Sequence, residues 1–101
     1  MSEPRFLVVR LSSLGDIVHS FPAVSGLRNS FPNSEIVWLT HPKWEFLVRT
    51  SGLATDVWTI DIRDWANVRS ILKRIRSHRF ETAIDYQGLW KSAAIDRKTH
   101  V

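Results

Sequence analysis

Four consecutive apolar residues, Phe6-Leu7-Val8-Val9, constrain the fold of this chain more than any other stretch. The run is far too short to cross a bilayer, which takes roughly 20 residues. It does not alternate with polar residues, so it is not a strand with one face in water. A short, continuously apolar strand belongs in a parallel sheet covered by helices on both sides. The strand is predicted over Phe6 to Leu11, with Arg10 its one interruption.

The rest of the chain supplies the partners of that strand. A helix is predicted from about Asp16 to Asn29, with Ile17, Phe21, Val24 and Leu27 as its apolar stripe. Pro22 lies inside this span and is expected to kink the helix or divide it into two pieces. Phe31-Pro32-Asn33 reads as a turn, Glu35 to Thr40 as a second strand and Lys43 to Arg49 as a short helix. The third strand, Asp56 to Ile62, alternates polar and apolar residues and so belongs near an edge. Asp64 is placed to cap a third helix running to about His78. Trp65, Val68, Leu72 and Ile75 are assigned to one face of it, and Arg69, Lys73, Arg76 and Arg79 to the other. A fourth strand, Thr82 to Tyr86, leads into a last helix from about Leu89.

Strand and helix alternate throughout, which predicts an α/β, Rossmann-like parallel sheet of about four strands with right-handed crossovers. Ligands of such sheets bind beyond the carboxyl ends of the strands. A strand order of 3-2-1-4 would make the first and fourth strands neighbours. The loops Ser12 to Gly15 and Tyr86 to Gly88 would then share one crevice.

At 101 residues the chain holds one small domain. Its formal net charge of +4 favours an anionic partner: a phosphorylated molecule, a membrane surface or nucleic acid. Nucleic acid is not expected, because no known reader motif is present. The absence of cysteine excludes disulfides, thiolate catalysis and cysteine metal sites. No pair of histidines has metal-ligand spacing backed by further ligands, so no metal is expected. The start MSEPRF has no signal-peptide pattern and no apolar run approaches membrane-spanning length, so a cytoplasmic location is expected.

Ser13-Leu14-Gly15-Asp16 fits the S-x-x-[DE] capping box, in which Ser13 and Asp16 each satisfy a backbone N–H at the helix start. The same geometry serves chemistry. Backbone N–H groups of the Ser12, Ser13 and Gly15 loop can approach a phosphate or sugar, and Asp16 can take a proton from a hydroxyl. On pattern alone both roles are open. The loop is neither a G-x-G-x-x-G fingerprint nor a P-loop. His19, one turn after Asp16, is placed either to orient it, to bind a ligand, or merely to pack. Gln87 and Lys91 offer donors to a polyhydroxylated or anionic ligand, or else flank a plain turn at Gly88. The basic third helix and Arg63 have two uses as well: contact with a phosphorylated substrate or anionic lipid, or solvation.

Two stretches, "VVRLSSLGDIVHSFPAV" near the start and "AIDYQGLWKSAA" near the end, with "IDIRDW" between them, resemble the ADP-heptose:lipopolysaccharide heptosyltransferases of glycosyltransferase family 9. The type I enzymes are nearest, and the resemblance runs from about Arg5 to Ala94. It implies a GT-B architecture of two Rossmann-like domains, the amino-terminal one receiving the lipid acceptor and the other holding most of the ADP-sugar. It further implies an inverting transfer of heptose from ADP-heptose to Kdo, with no protein-bound metal or resident cofactor. Asp16 matches the family's general base, Ser13 and Gly15 its surrounding loop, and Arg63 a basic acceptor-side segment. Residues 1–94 are then read as part of the acceptor-side domain and 95–101 as a divergent polar tail, with the nucleotide-sugar domain absent. On this reading the chain by itself is expected to be inactive. The alternative is a non-catalytic fragment or a small Rossmann-like binding or interaction module.

Overall fold

The computed structural model describes residues 4–88. In chain order they form β1 (Arg5–Val9), α1 (Leu14–Ser30), β2 (Glu35–Thr40), a 3-10 turn (Pro42–Trp44), α2 (Glu45–Ser51), β3 (Asp56–Thr59), α3 (Trp65–His78) and β4 (Thr82–Asp85). The sheet has the order β3-β2-β1-β4. Every pairing is parallel: Phe6 lies opposite Ile36 and Thr82, Val9 opposite Leu39 and Asp85, and Val37 opposite Asp56. This is the order that makes the first and fourth strands neighbours, and the third strand lies at an edge as expected. The helix expected from Leu89 and the polar tail lie outside the described residues.

The uninterrupted apolar run of β1 is explained by two separate cores. Leu7 and Val9 join Val37, Leu39, Trp58, Ile71, Ile75 and Phe80 on the α3 side of the sheet. Phe6 and Val8 join Ile17, Val24, Ile36, Trp38 and Val48 on the side of α1 and α2. Successive strand residues point to opposite faces, so each helix layer takes every second residue. Each such Val, Leu or Ile stabilises the fold by roughly 1.5–3 kcal/mol when fully buried.

Several boundaries differ from expectation for local reasons. β1 stops at Val9 rather than Leu11, because the Leu11 N–H donates to the Gln87 side chain (3.1 Å) instead of to a neighbouring strand. β3 stops at Thr59 rather than Ile62, because the Asp61 N–H is taken by Asn67 Oδ1 at 2.7 Å. α1 begins at Leu14 and runs through Pro22 undivided. Pro22 and Val18, whose carbonyl loses its N–H partner, are both exposed, so that carbonyl lies within reach of solvent. Ile17 and Val24, on either side of the proline, hold both halves on one sheet face.

α3 is capped as expected, Asp64 accepting from the Asn67 N–H. Its roll differs. The core face is Val68, Ile71 and Ile75, whereas Trp65 is 71% exposed and Leu72 only half-buried. Arg74 fixes this roll by laying its guanidinium 4.1 Å above the Trp58 ring. The helix ends at Arg79 in the left-handed region, with φ of 59°. A side chain is disfavoured there and glycine is not. Arg79→Gly is therefore expected to raise stability by up to about 1 kcal/mol, read as a higher urea midpoint at unchanged m-value. Among the described residues no helix is long and apolar enough to cross a membrane.

Candidate active site

The carboxyl ends of β1 and β4 are held together by side chains where the ladder stops. The Tyr86 N–H still donates to the Val9 carbonyl (3.0 Å). Beyond it, Arg10 crosses the gap, one guanidinium nitrogen donating to the Tyr86 carbonyl at 2.6 Å and the other lying 3.2 Å from Asp16 Oδ2. Gln87 returns the link by accepting from the Leu11 N–H. The β1 tip is also tied to β2, since Trp38 Nε1 donates to the Arg10 carbonyl (3.2 Å) and the His41 N–H to the Leu11 carbonyl (3.2 Å).

The turn after β4 is built on Asp85. Its side chain is buried, and Oδ1 accepts from the N–H groups of Gln87 (3.0 Å) and Gly88 (2.8 Å). Gly88 has a φ of 71°, a conformation that favours glycine, so the turn and its residue agree. Burial raises the pKa of the Tyr86 phenol above its ordinary value.

Asp16 stands in the first turn of α1 with its side chain 57% exposed, open enough to meet a solute. The expected capping box is not formed. Ser13 occupies the cap position, yet its hydroxyl makes no bond to the helix N–H groups and lies 3.5 Å from Asp16 Oδ2 instead. The first helical bond is purely backbone, from the Ile17 N–H to the Ser13 carbonyl (2.9 Å). A charge-assisted contact with Arg10 outcompetes a reach back to a neutral N–H, and it turns the carboxylate toward the β1–β4 crevice. Both contacts use Oδ2. Among the described residues Oδ1 makes no hydrogen bond or ion pair. The helix dipole still favours the charge at this position. The Ser12–Ser13 peptide in the same loop is cis.

Asp16 and Gln87 are thus both tied to the β1 tip, through Arg10 and the Leu11 N–H, and Ser12, Ser13 and Gly15 belong to the segment that leads from that tip into α1. His19 is exposed on α1 and makes no hydrogen bond to Asp16. Arg63 follows the edge strand β3, two strand spacings or roughly 10 Å from β1. It is 84% exposed and pairs with Asp61 at 3.5 Å. The Arg63 N–H bond and then its guanidinium hold the Asp61 pKa below the ordinary carboxylate value, against an opposing burial effect. Lys91 lies outside the described residues. Arg10, the residue that organises the crevice, registers in the sequence only as an interruption. The signal was present nonetheless: a charge at the end of a strand buried on both faces needs a partner. The parity of Phe6 and Val8 also assigns it to the face of α1, whose first acidic residue is Asp16.

The chain is 30% identical over 105 residues to the lipopolysaccharide heptosyltransferase 1 of Pseudomonas aeruginosa, a match covering 92% of this chain and 29% of that protein. It is 28% identical over 95 residues to the enzyme of the same description from Campylobacter coli, covering 92% of this chain and 28% of that one. Its structure superposes on the Escherichia coli heptosyltransferase WaaC, solved with ADP, with a TM-score of 0.73 and 28% identity over 95% of this chain. Over about nine-tenths of its length the chain is similar to part of these heptosyltransferases. No family model matches it. A glycosyltransferase family 9 protein from Veillonella parvula, at 18% identity and a TM-score of 0.72, shares the fold. The chain spans less than a third of the length of these heptosyltransferases, 28% in the Campylobacter protein and 32% in the Escherichia coli structure. Within that span lie the four-stranded parallel sheet and the crevice at the Asp16 helix tip.

Proposed function

We propose that residues 1–94 form the acceptor-side part of a heptosyltransferase, with Asp16 as the general base. The observation that carries this reading is the half-exposed Asp16 carboxylate at the tip of α1, anchored through Oδ2 to Arg10 and with Oδ1 uncommitted among the described residues. Oδ1 takes the proton from a hydroxyl of a lipid-linked Kdo acceptor. The acceptor oxygen then bonds to the anomeric carbon of ADP-heptose from the face opposite the leaving group. The bond from that carbon to the diphosphate oxygen breaks, ADP departs and the configuration inverts. One carboxylate activating the nucleophile opposite the leaving group is the arrangement of inverting glycosyl chemistry. Arg10 positions the base, and Gln87, Ser12 and Ser13 present polar groups to the sugar, with His19 and Arg63 further out; Lys91, outside the described residues, is proposed as a further donor to the acceptor. Support for a nucleotide-sugar donor comes from the relatives, whose structures hold ADP and an ADP-heptose analogue. On this reading the protein works in the cytoplasm, in peripheral contact with the membrane that holds its acceptor.

The test uses a chimera in which residues 5–88 of this chain replace the matching segment of the Escherichia coli heptosyltransferase. Heptose transfer to a Kdo-bearing acceptor that is lost on Asp16→Asn supports the assignment, and transfer that survives the change refutes it. Gly15→Ala supplies a second measurement. A Cβ at Gly15 meets nothing within 4 Å, and its φ is not positive, so neither packing nor backbone calls for glycine. The variant is expected to be up to about 1 kcal/mol more stable, since alanine favours the helix. It is nonetheless expected to raise the acceptor KM several-fold, because the added methyl stands where the loop backbone approaches the sugar. An unchanged KM would mean the open space over Gly15 receives no substrate.

A further inference from the structure

The roll of α3 leaves a surface that Asp16 chemistry does not use. α3 carries Arg69, Lys73, Arg74 and Arg76 and no acidic residue from Trp65 to His78. Arg74 is committed to the Trp58 ring. Arg69, Lys73 and Arg76 are exposed and form no ion pair among the described residues. At 3.6 residues per turn these three fall with Trp65 and Leu72 inside about 100° of arc. Like charges three and four residues apart repel one another, so the flank is relieved by an anionic partner. Arg69, Ser70, Leu72, Lys73 and Arg76 line a depression of about 450 Å3 on it. At its amino-terminal end Trp65 is 71% exposed and Ile62, one turn earlier in the chain, 55%.

We propose that this flank docks the chain on an anionic lipid bilayer, with Arg69, Lys73 and Arg76 over lipid phosphates and Trp65 and Ile62 at the headgroup boundary. The inference rests on the preceding reading for its membrane location and adds the face that meets the lipid. Charge complementarity selects an anionic occupant, with each cation near such a surface strengthening binding roughly fivefold. The exposed indole selects lipid over a soluble polyanion, because an amphipathic ring is favoured at the membrane–water interface. Ile62 and Trp65 also stand at the carboxyl end of the sheet, the end that carries Asp16. Docking through them presents the crevice to molecules anchored in the bilayer.

The experiment is co-sedimentation of the 101-residue chain with phosphatidylcholine vesicles, with and without phosphatidylglycerol, at low and high salt. Binding is expected only with phosphatidylglycerol. The Arg69→Ser, Lys73→Ser, Arg76→Ser triple variant is expected to weaken it by about a hundredfold. A charge-matched control off α3, Arg5→Ser with Lys43→Ser and Arg49→Ser on β1, the 3-10 turn and α2, is expected to keep most of it. Trp65→Ser should remove the part of the binding that survives high salt. Arg69→Lys with Arg76→Lys should retain binding, and unchanged circular dichroism across the set shows that the variants fold. Equal loss in the control triple would trace binding to net charge and overturn the proposal. So would equal binding to neutral vesicles, or tighter retention on single-stranded RNA than on vesicles. Because no transfer is measured, vesicle binding beside an Asp16→Asn chimera that still transfers would refute the base assignment and leave the docking face standing.

Discussion

Asp16→Asn is expected to lower the turnover of the heptosyltransferase chimera by about 10²–10⁴-fold, the usual contribution of a positioned general base. The substitution keeps the size and planarity of the side chain, and the amide oxygen can still accept from Arg10. It removes only the capacity to hold a proton. The cost to stability is small, because the Arg10–Asp16 pair is more than half exposed on the aspartate side and such pairs contribute at most about 1 kcal/mol. The loss belongs in kcat, with the acceptor KM little changed, since a base acts in the transition state and not in ground-state binding. Asp16→Glu keeps the carboxylate but extends it past the Arg10 anchor, so it should recover part of the rate. A kcat for Asp16→Asn within a few-fold of the parent would leave Asp16 a helix-tip charge and nothing more.

The second large effect is expected at Trp38, where the core and the crevice meet. Its indole is fully buried, meets Phe21 edge-on at 5.8 Å, and donates Nε1–H to the Arg10 carbonyl. Trp38→Ala removes the largest of the fully buried side chains and is expected to cost about 3–5 kcal/mol. That is a large share of the roughly 5–15 kcal/mol available to a small domain. Thermal unfolding followed by circular dichroism should shift down on the order of 20 °C. Trp38→Phe separates the two contributions. It refills most of the volume but orphans the Arg10 carbonyl, so a residual cost of about 1–3 kcal/mol is expected from that group alone. If Trp38→Phe were as stable as the parent, the indole bond would have no part in holding the β1 tip.

The interior place of β1 and the edge place of β3 were legible because the two kinds of strand pattern are physically distinct. The unbroken run in β1 demands cover on both faces, while the alternation in β3 demands one wetter side and so an edge. Asp64 was legible as a cap because it stands immediately before the apolar period of α3. The roll of α3 was not, because Trp65-Val68-Leu72-Ile75 and Val68-Ile71-Ile75 are both acceptable apolar stripes. The choice falls to Trp58 and Phe80, which are remote in sequence and recruit Ile71 and Arg74. The capping box misled for a related reason: the pattern S-x-x-D says what Asp16 can reach locally, not that Arg10 will compete for it. Arg10 itself became legible only once β4 was placed beside β1, since its other partner is the Tyr86 carbonyl, 76 residues away.

The two cores give β1 the role of a ruler. Even-numbered residues face α1 and α2, and odd-numbered residues face α3, so the phase of four side chains fixes where the fifth, Arg10, will aim. A single-residue deletion or insertion between Phe6 and Val9 would exchange the two sets of side chains and turn the guanidinium away from the helix that carries Asp16. Length variation is therefore barred from this strand even where hydrophobicity would be preserved. The loops at the opposite end of the sheet face no such restriction. Counting, as much as chemistry, keeps the carboxylate in its place.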